Sequence, residues 1–289
     1  MGENETILTV AGLIGLVWFM GWLAQQSLTL KTKRREEVLQ QPFPPAWEAI
    51  LHQDVTFFVG LDEAERQRFR QELQIFLSEK RITGIQTEVD ETTRVLVGCS
   101  AIIPIFGFPD WEWDQIREIL VYPTSFSEDF EIDRDAERNV GGMVGSSAMN
   151  GMMILSKPDL LHGFRNAQDQ RNVGIHEFAH LVDKSDGVID GIPSVSLGRD
   201  AVRPWIELMR KEMERIRAGR SGIDPYALKS EAEFFAVVSE YFFEHPAKLR
   251  DDHPELYAML AKIFRQDLRA RAASLLVPGL RRRKGSDVH

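Results

Sequence analysis

Cysteine is nearly absent from this sequence: Cys99 is the single cysteine in 289 residues. One cysteine cannot form an internal disulfide, and it excludes the zinc ribbons and iron–sulfur sites that need several thiolates. The composition is therefore typical of a protein from a reducing compartment. Any bound metal ion has to be held by histidine, aspartate or glutamate.

Positive charge is also in short supply, because 44 acidic residues outnumber 35 lysines and arginines and give a formal net charge of -9. An acidic protein repels the phosphate backbone, so nucleic acid is not an expected partner. Hydrophobic residues make up 43% of the chain and charged residues 27%. These proportions indicate one folded domain of catalytic size, or two small ones, and exclude a disordered tail or a fibre.

One long run near the N-terminus, residues 7–24, carries no charged side chain. As a helix it would be about 27 Å long, which is nearly the thickness of a bilayer core. We therefore expect a transmembrane helix within residues 1–30, uncleaved because the start lacks a basic region and a small-x-small cleavage site. Four basic residues between 31 and 35 follow the run, and this bias predicts a single pass with the N-terminus outside and the body in the cytoplasm. The alternative is a buried helix of a soluble protein.

The rest of the chain predicts an α+β fold that is mainly helical and has a small sheet. A basic, proline-rich linker is expected at 31–45, the folded domain at 46–275, and a basic tail at 276–289 that is either a solvated end or a contact with anionic lipid. A glycine-rich segment at 140–151 lacks the ending of a phosphate-binding loop and predicts a flexible loop. The patterns predict strands at 94–97, 118–122 and 152–155, and helices at 62–80, 172–183, 201–217, 230–244 and 254–273.

The chemistry is concentrated in His176-Glu177-Phe178-Ala179-His180, an H-E-x-x-H motif. On a helix the i, i+4 spacing brings both imidazoles to one face, where they can share one zinc ion, and Glu177 is suited to act as a base toward a zinc-bound water. The surrounding residues are mostly apolar, and two unpaired histidines in a buried helix would be costly. The alternative is a pair of core histidines satisfied by hydrogen bonds.

A catalytic zinc ion usually has three protein ligands, so a third ligand is expected downstream. Glu233 and Glu240 are seven residues apart and share one face of the predicted helix 230–244. One could bind the metal while the other orients a histidine, but Glu233 could equally be the capping partner of Ser230. Asp183 is either a further residue that orients an imidazole or an ordinary surface acid.

Tyr226 precedes the helix that carries these glutamates. A phenol in this position could stabilise the negatively charged oxygen of a reacting carbonyl group. The pattern by itself favours an ordinary half-buried tyrosine.

Several segments together resemble the Mlc titration factor A family of zinc peptidases, and also look like the catalytic domain of anthrax lethal factor. The resemblance is carried by residues 174–183, 190–193, 224–227 and 232–243, and it extends through 94–123 and 254–267. It therefore covers most of the chain after about residue 40.

The resemblance implies a zincin-like metallopeptidase domain that binds one Zn²⁺. It implies His176, His180 and Glu233 as the metal ligands, Glu177 as the general base and Tyr226 as a residue that stabilises the transition state. It also implies that an extended peptide docks beside a short strand, for which 151–156 is the predicted segment.

The sequence thus predicts a zinc metallopeptidase that is tethered to the membrane, faces the cytoplasm and cleaves peptides or proteins. Soluble members of the family have no anchor, so the predicted N-terminal helix is a departure from the family. The alternative is a regulatory protein that keeps the zinc site but sequesters a partner, such as the transcriptional regulator Mlc to which the family resemblance points. A third interpretation, a zinc hydrolase acting on non-peptide amides, differs only in its substrate.

Overall fold

The computed structural model describes residues 3–124, 142–144, 151–166 and 171–268. The chain divides into two compact units, Met1–Phe43 and Pro44–His289. The helices are α1 Glu3–Gln40, α2 Pro45–Asp54, α3 Thr56–Val59, α4 Glu63–Glu79, α5 Glu91–Ile105, α6 Lys157–Arg165, α7 Val173–Asp183, α8 Ser194–Leu197, α9 Arg199–Arg217, α10 Glu231–Glu244, α11 Pro246–Asp252 and α12 Pro254–Ile263; the strands are β1 Arg81–Gly84, β2 Glu118–Tyr122, β3 Gly142–Val144 and β4 Met152–Ser156.

The first unit consists mainly of α1, and it contradicts the predicted membrane anchor. Among the residues that the structure describes, no helix is both long enough and apolar enough to cross a bilayer. The prediction of a single-pass membrane anchor with the N-terminus outside is therefore wrong.

Helix α1 also differs from the prediction at its C-terminal end. It continues to Gln40 and includes the charged residues between 31 and 37. Most of the segment predicted as a linker, 31–45, is therefore helical, and only residues 41–44 separate α1 from α2. The predicted basic tail at 276–289 lies outside the described residues.

The second unit is mainly helical, as predicted, and its helices begin at the residues that the sequence marks. Helix α4 starts with a capping box in which Asp62 accepts a hydrogen bond from the Glu65 amide at 2.9 Å and Glu65 accepts one from the Asp62 amide at 3.1 Å. Helices α7, α9 and α10 match the predicted segments to within two residues at each end. The prediction for 254–273 is met as far as Ile263, and residues 269–273 lie outside the described part.

One predicted strand is a helix instead. Residues 94–97 belong to α5, which is capped by Asp90 through a hydrogen bond of 2.7 Å from the Thr93 amide. The helix is buried on nearly all sides, and a short run of buried apolar residues has no periodicity that would separate a helix from a strand. The N-cap at Asp90 is the local sequence signal that indicates a helix here.

The sheet has four strands in the order β1-β2-β4-β3. Strands β1, β2 and β4 are parallel, while β3 pairs antiparallel with β4. The predicted strands 118–122 and 152–155 are confirmed, and β3 arises within the glycine-rich segment that the sequence predicts as a loop. Strand β4 is paired on both sides, so the prediction that 151–156 offers an edge to a peptide is wrong.

Helix α7 lies in the middle of the second unit, packed against α5 and α10. The ring of Phe178 is 6.0 Å from that of Phe76 and 5.1 Å from that of Trp113, measured between centroids. At Gly174 the two helices α5 and α7 approach so closely that a Cβ would lie 2.7 Å from the Cβ of Ser100. A residue without a side chain is needed at this crossing.

We predict that Gly174→Ala destabilises the fold by about 1–3 kcal/mol, because an added methyl group overpacks the contact between α5 and α7. Gly222→Ala is the matched control, since a Cβ there meets only the flexible end of Lys248 at 3.4 Å. Its effect should stay within about 0.5 kcal/mol. Urea denaturation measures both changes, and equal stability of the two variants would contradict the packing described.

Candidate metal centre

Two histidines project from one face of α7. The side chain of Asn172 caps this helix by accepting a hydrogen bond from the Ile175 amide at 3.1 Å. The rings of His176 and His180 are 4.9 Å apart between centroids and stand at 80° to each other. The i, i+4 spacing of the motif therefore places the two imidazoles side by side, as predicted.

Helix α10 brings Glu233 to the same place. Its Oε2 atom lies 3.0 Å from Nε2 of His176 and 3.6 Å from Nε2 of His180. One ligand atom from each of these three residues lies within 4.8 Å of the others, close enough for a single metal ion to bind all three. Two imidazole nitrogens and a carboxylate oxygen form a donor set that suits zinc.

The backbone and the side chain of Glu233 have different partners, which resolves the ambiguity left by the sequence. Ser230 caps α10 by accepting a hydrogen bond from the Glu233 amide at 3.1 Å. The carboxylate of Glu233 does not complete a capping box but turns toward His176 and His180. Capping and contact with the histidines are therefore compatible.

Glu240 holds His176 from the opposite side of the ring. Its Oε1 lies 2.7 Å from Nδ1 of His176, and its Oε2 accepts a hydrogen bond from the Asn172 amide at 2.5 Å. The carboxylate is 5% exposed. A buried acceptor on Nδ1 keeps the proton on that nitrogen and turns Nε2 toward Glu233.

The buried charges shift one another's proton affinity in the metal-free protein. Burial disfavours the charged form of His176, but the carboxylates of Glu240 and Glu233 outweigh this effect and hold the His176 pKa well above its ordinary value. Burial acts to raise the pKa of Glu233, yet the hydrogen bonds from His176 and His180 bring it well below the ordinary range. The raised pKa keeps a second proton on His176, at Nε2 facing Glu233. That proton has to be released before Nε2 can bind a metal ion.

Glu177 lies on a neighbouring flank of α7 and is 3% exposed. Within the described part of the chain, no hydrogen bond reaches its Oε2 atom. Burial raises the Glu177 pKa, although the nearby His176 and His180 oppose the shift. A buried carboxylate of raised basicity beside a metal-binding cluster has the properties of a general base.

Strand β3 passes directly beside Glu177. A Cβ built on Gly142 would lie 2.6 Å from Cγ and 2.7 Å from Oε1 of Glu177. Only glycine permits this close approach. The sequence shows the glycine-rich segment that contains Gly142, but no motif in the sequence connects that segment with Glu177.

Tyr226 is also brought to the cluster. It lies in a 3₁₀ turn, Pro225–Leu228, where the side chain of Asp224 accepts a hydrogen bond from its amide at 2.9 Å. Its ring centroid is 6.2 Å from that of His176, and the side chain is 42% exposed. The Nζ atom of Lys229 lies 3.5 Å from the phenol oxygen, a neighbour that the sequence analysis did not identify.

Comparison with known proteins agrees with this arrangement. The family model described as glucose-regulated metallo-peptidase M90 matches residues 29–265. The chain belongs to the M90 metallo-peptidase family. This confirms the resemblance that the sequence motifs indicated.

Similar proteins come from several bacteria. An uncharacterized protein of Synechocystis sp. is 29% identical over 278 residues, which cover 91% of this chain and 97% of the relative. Mlc titration factor A of Pectobacterium atrosepticum is 30% identical over 79% of this chain and 88% of its own length. Mlc titration factor A of Escherichia coli is 29% identical over 81% of this chain and 90% of its own length.

Asp183 in this M90 protein makes a different contact from the one considered for it. Its Oδ2 atom accepts a hydrogen bond from the Gly191 amide at 2.7 Å, and the Gly191 carbonyl accepts one from the Trp205 indole at 2.7 Å. The Oδ1 atom has no hydrogen-bond partner among the described residues. Asp183 therefore anchors the loop that follows α7, and burial raises its pKa to about 6.

We predict a pH-dependent contribution of Asp183 to stability. Its folded-state pKa of about 6 exceeds the ordinary value of 3.8, so the folded protein holds this proton more tightly than the unfolded chain. The resulting stabilisation is complete below about pH 4 and is lost as the pH rises through about 6. Asp183→Asn keeps an oxygen for the Gly191 amide and should make the protein more stable at pH 7.5 by about 1–3 kcal/mol.

The measurement is denaturation of metal-free protein between pH 4 and 7.5. Asp110→Asn, at an exposed position, is the control and should follow the wild type throughout. A constant difference between wild type and Asp183→Asn across this pH range would contradict the shifted pKa.

Proposed function

We propose that this chain is a zinc-dependent peptidase with a zincin-like fold. One Zn²⁺ per chain would be held by Nε2 of His176, Nε2 of His180 and the carboxylate of Glu233. Three protein ligands leave a fourth position open, which is the arrangement of catalytic rather than structural zinc. The donor atoms within 4.8 Å of one another and the M90 family support this assignment.

A bound zinc ion would supply Lewis acidity, lowering the pKa of a water molecule and polarising the carbonyl group of the substrate. Glu177 would take a proton from the attacking water and return it to the leaving amine, so that one carboxylate serves as base and then as acid. The observation that carries this proposal is a buried Glu177 whose pKa is raised beside the cluster of His176, His180 and Glu233.

Tyr226 would stabilise the substrate in the transition state. Its phenol is partly exposed beside His176, so it could donate a hydrogen bond to the carbonyl oxygen as negative charge develops there. Lys229 lies against the same phenol, at 3.5 Å from its oxygen and 5.4 Å from the ring centroid. A cation in this position favours the negative charge that builds up during the reaction.

Strand β3 is the edge that we propose for docking an extended peptide. Among the described strands it pairs only with β4, so one side of its backbone can form hydrogen bonds with another strand. The strand is also adjacent to Glu177 through Gly142. A peptide paired with β3 would therefore run past the proposed base.

The alternative function is regulatory. Several relatives carry the name Mlc titration factor A, and a chain of this family could bind and sequester a partner such as a transcriptional regulator without cleaving it. Both functions predict bound zinc. They differ in whether the effect on the partner requires Glu177.

We predict that Glu177→Gln binds zinc as the wild type does but loses about 10²- to 10⁴-fold in kcat for peptide hydrolysis, because the amide cannot accept the proton. Glu231→Gln, at an exposed position of α10, is the matched control and should retain full activity. Metal analysis and cleavage of an unstructured protein are measured side by side. Hydrolysis by Glu177→Gln at the wild-type rate would refute the mechanism, whereas zinc binding without cleavage by the wild type would favour the sequestering function.

We predict that Glu240→Gln weakens zinc binding about 10- to 100-fold, because His176 loses the carboxylate that orients its ring. Competition with a chromophoric chelator gives the dissociation constant, again with Glu231→Gln as the control. Unchanged zinc affinity in Glu240→Gln would show that the hydrogen bond to Nδ1 has no role in holding the metal.

A further inference from the structure

A second site of chemical interest is a cleft of about 410 Å³, a volume that includes space open to solvent. Its walls come from the junction of α2 and α3, from α5 and α6, and from the start of α7 and the end of α10. None of the residues that line it belongs to the cluster of His176, His180 and Glu233. The apolar part of the wall is formed mainly by Phe57, Ile103, Phe164 and Phe243.

Asp54 is the unusual residue of this cleft. It is the last residue of α2, lines the cleft and is only 8% exposed. Across the described part of the chain, neither a hydrogen bond nor an ion pair reaches its carboxylate. Its two oxygens are not among the fully enclosed side-chain atoms that lack a partner, so they open to the solvent of the cleft. The negative partial charge at the C-terminus of α2 adds to the negative potential that a cation would meet there.

The charge of the lining selects the sign of a ligand. A second acid, Glu244, lies at the end of α10 and lines the same cleft. The described lining residues include no lysine, arginine or histidine. The cleft therefore disfavours anions, and a cation that enters it meets a carboxylate at Asp54.

We propose that this cleft binds a small organic cation of the arginine side-chain type, an alkylguanidinium group. The flat guanidinium ion matches a carboxylate with two parallel hydrogen bonds, which Asp54 could accept. The same ion packs favourably on aromatic rings, and its alkyl chain suits the apolar wall around Phe57 and Phe164. The site is separate from the proposed zinc centre, but its lining includes Asn172, whose amide donates to Glu240.

Calorimetric titration of the full-length chain tests the proposal with N-propylguanidinium and with N-propylurea, a neutral molecule of nearly the same shape. The guanidinium compound should bind saturably at one site per chain, and the urea should not bind at the same concentrations. Asp54→Asn should weaken binding at least tenfold, while Asp110→Asn, at an exposed residue outside the cleft, should leave it unchanged. Equal binding of both compounds, or full binding by Asp54→Asn, would overturn the proposal.

A second measurement remains decisive if Asp54→Asn does not fold. An alkylguanidinium carrying a photoreactive diazirine group is crosslinked to the wild-type chain and the modified residues are located by mass spectrometry. Labelling within 54–57, 163–164 or 243–244 is the expected result. Labelling confined to 176–180 or 226–233 would place the cation at the acids of the metal centre and refute the cleft as its site.

Discussion

The structure depends on the way five ionisable side chains, three of them buried and two partly buried, pack together between α7 and α10. His176 is held between the carboxylates of Glu233 and Glu240, at 3.0 and 2.7 Å, while His180 and Glu177 complete the group. Isolated charges in such a place would destabilise the fold by several kcal/mol each. Mutual pairing offsets that cost in the metal-free protein, and a divalent cation would offset it in the proposed active form. The packing of α5 on α7 at Gly174 keeps the histidine-bearing helix in its position.

Much of the candidate site could be predicted because its residues lie in two short segments. The i, i+4 spacing of His176 and His180 fixes their common face on any helix, and Tyr226 and Glu233 follow from the family resemblance. Spacing alone could not show that Glu233 contacts both histidines while Glu240 contacts Nδ1 of His176, since both glutamates lie on one face of α10. Gly142 was missed because tertiary folding, and not a sequence motif, brings it to Glu177. Lys229 was missed although its contact with Tyr226, three residues earlier, is a local one made by the 3₁₀ turn.

The fold was predictable where local signals agree with one another. The cap at Asp62 and the apolar periodicity after it define α4. In the run 94–97, by contrast, three successive apolar residues are all buried, and the run was mistaken for a strand of the sheet. Apolarity was also misleading at 7–24, where a long uncharged run predicted a membrane anchor that the described helices do not support. Strand order could not be derived from the sequence either, and among the described strands it places β3, and not β4, at the end of the sheet.

The proposed function requires His176, His180 and Glu233 to bind one catalytic zinc ion together. The most direct test is metal analysis of the purified full-length chain beside its Glu233→Ala variant, with circular dichroism to verify that both are folded. We expect one zinc ion per wild-type chain and little or none in the variant. A wild-type chain that binds no zinc, or a folded Glu233→Ala chain that binds zinc equally well, would contradict the proposal.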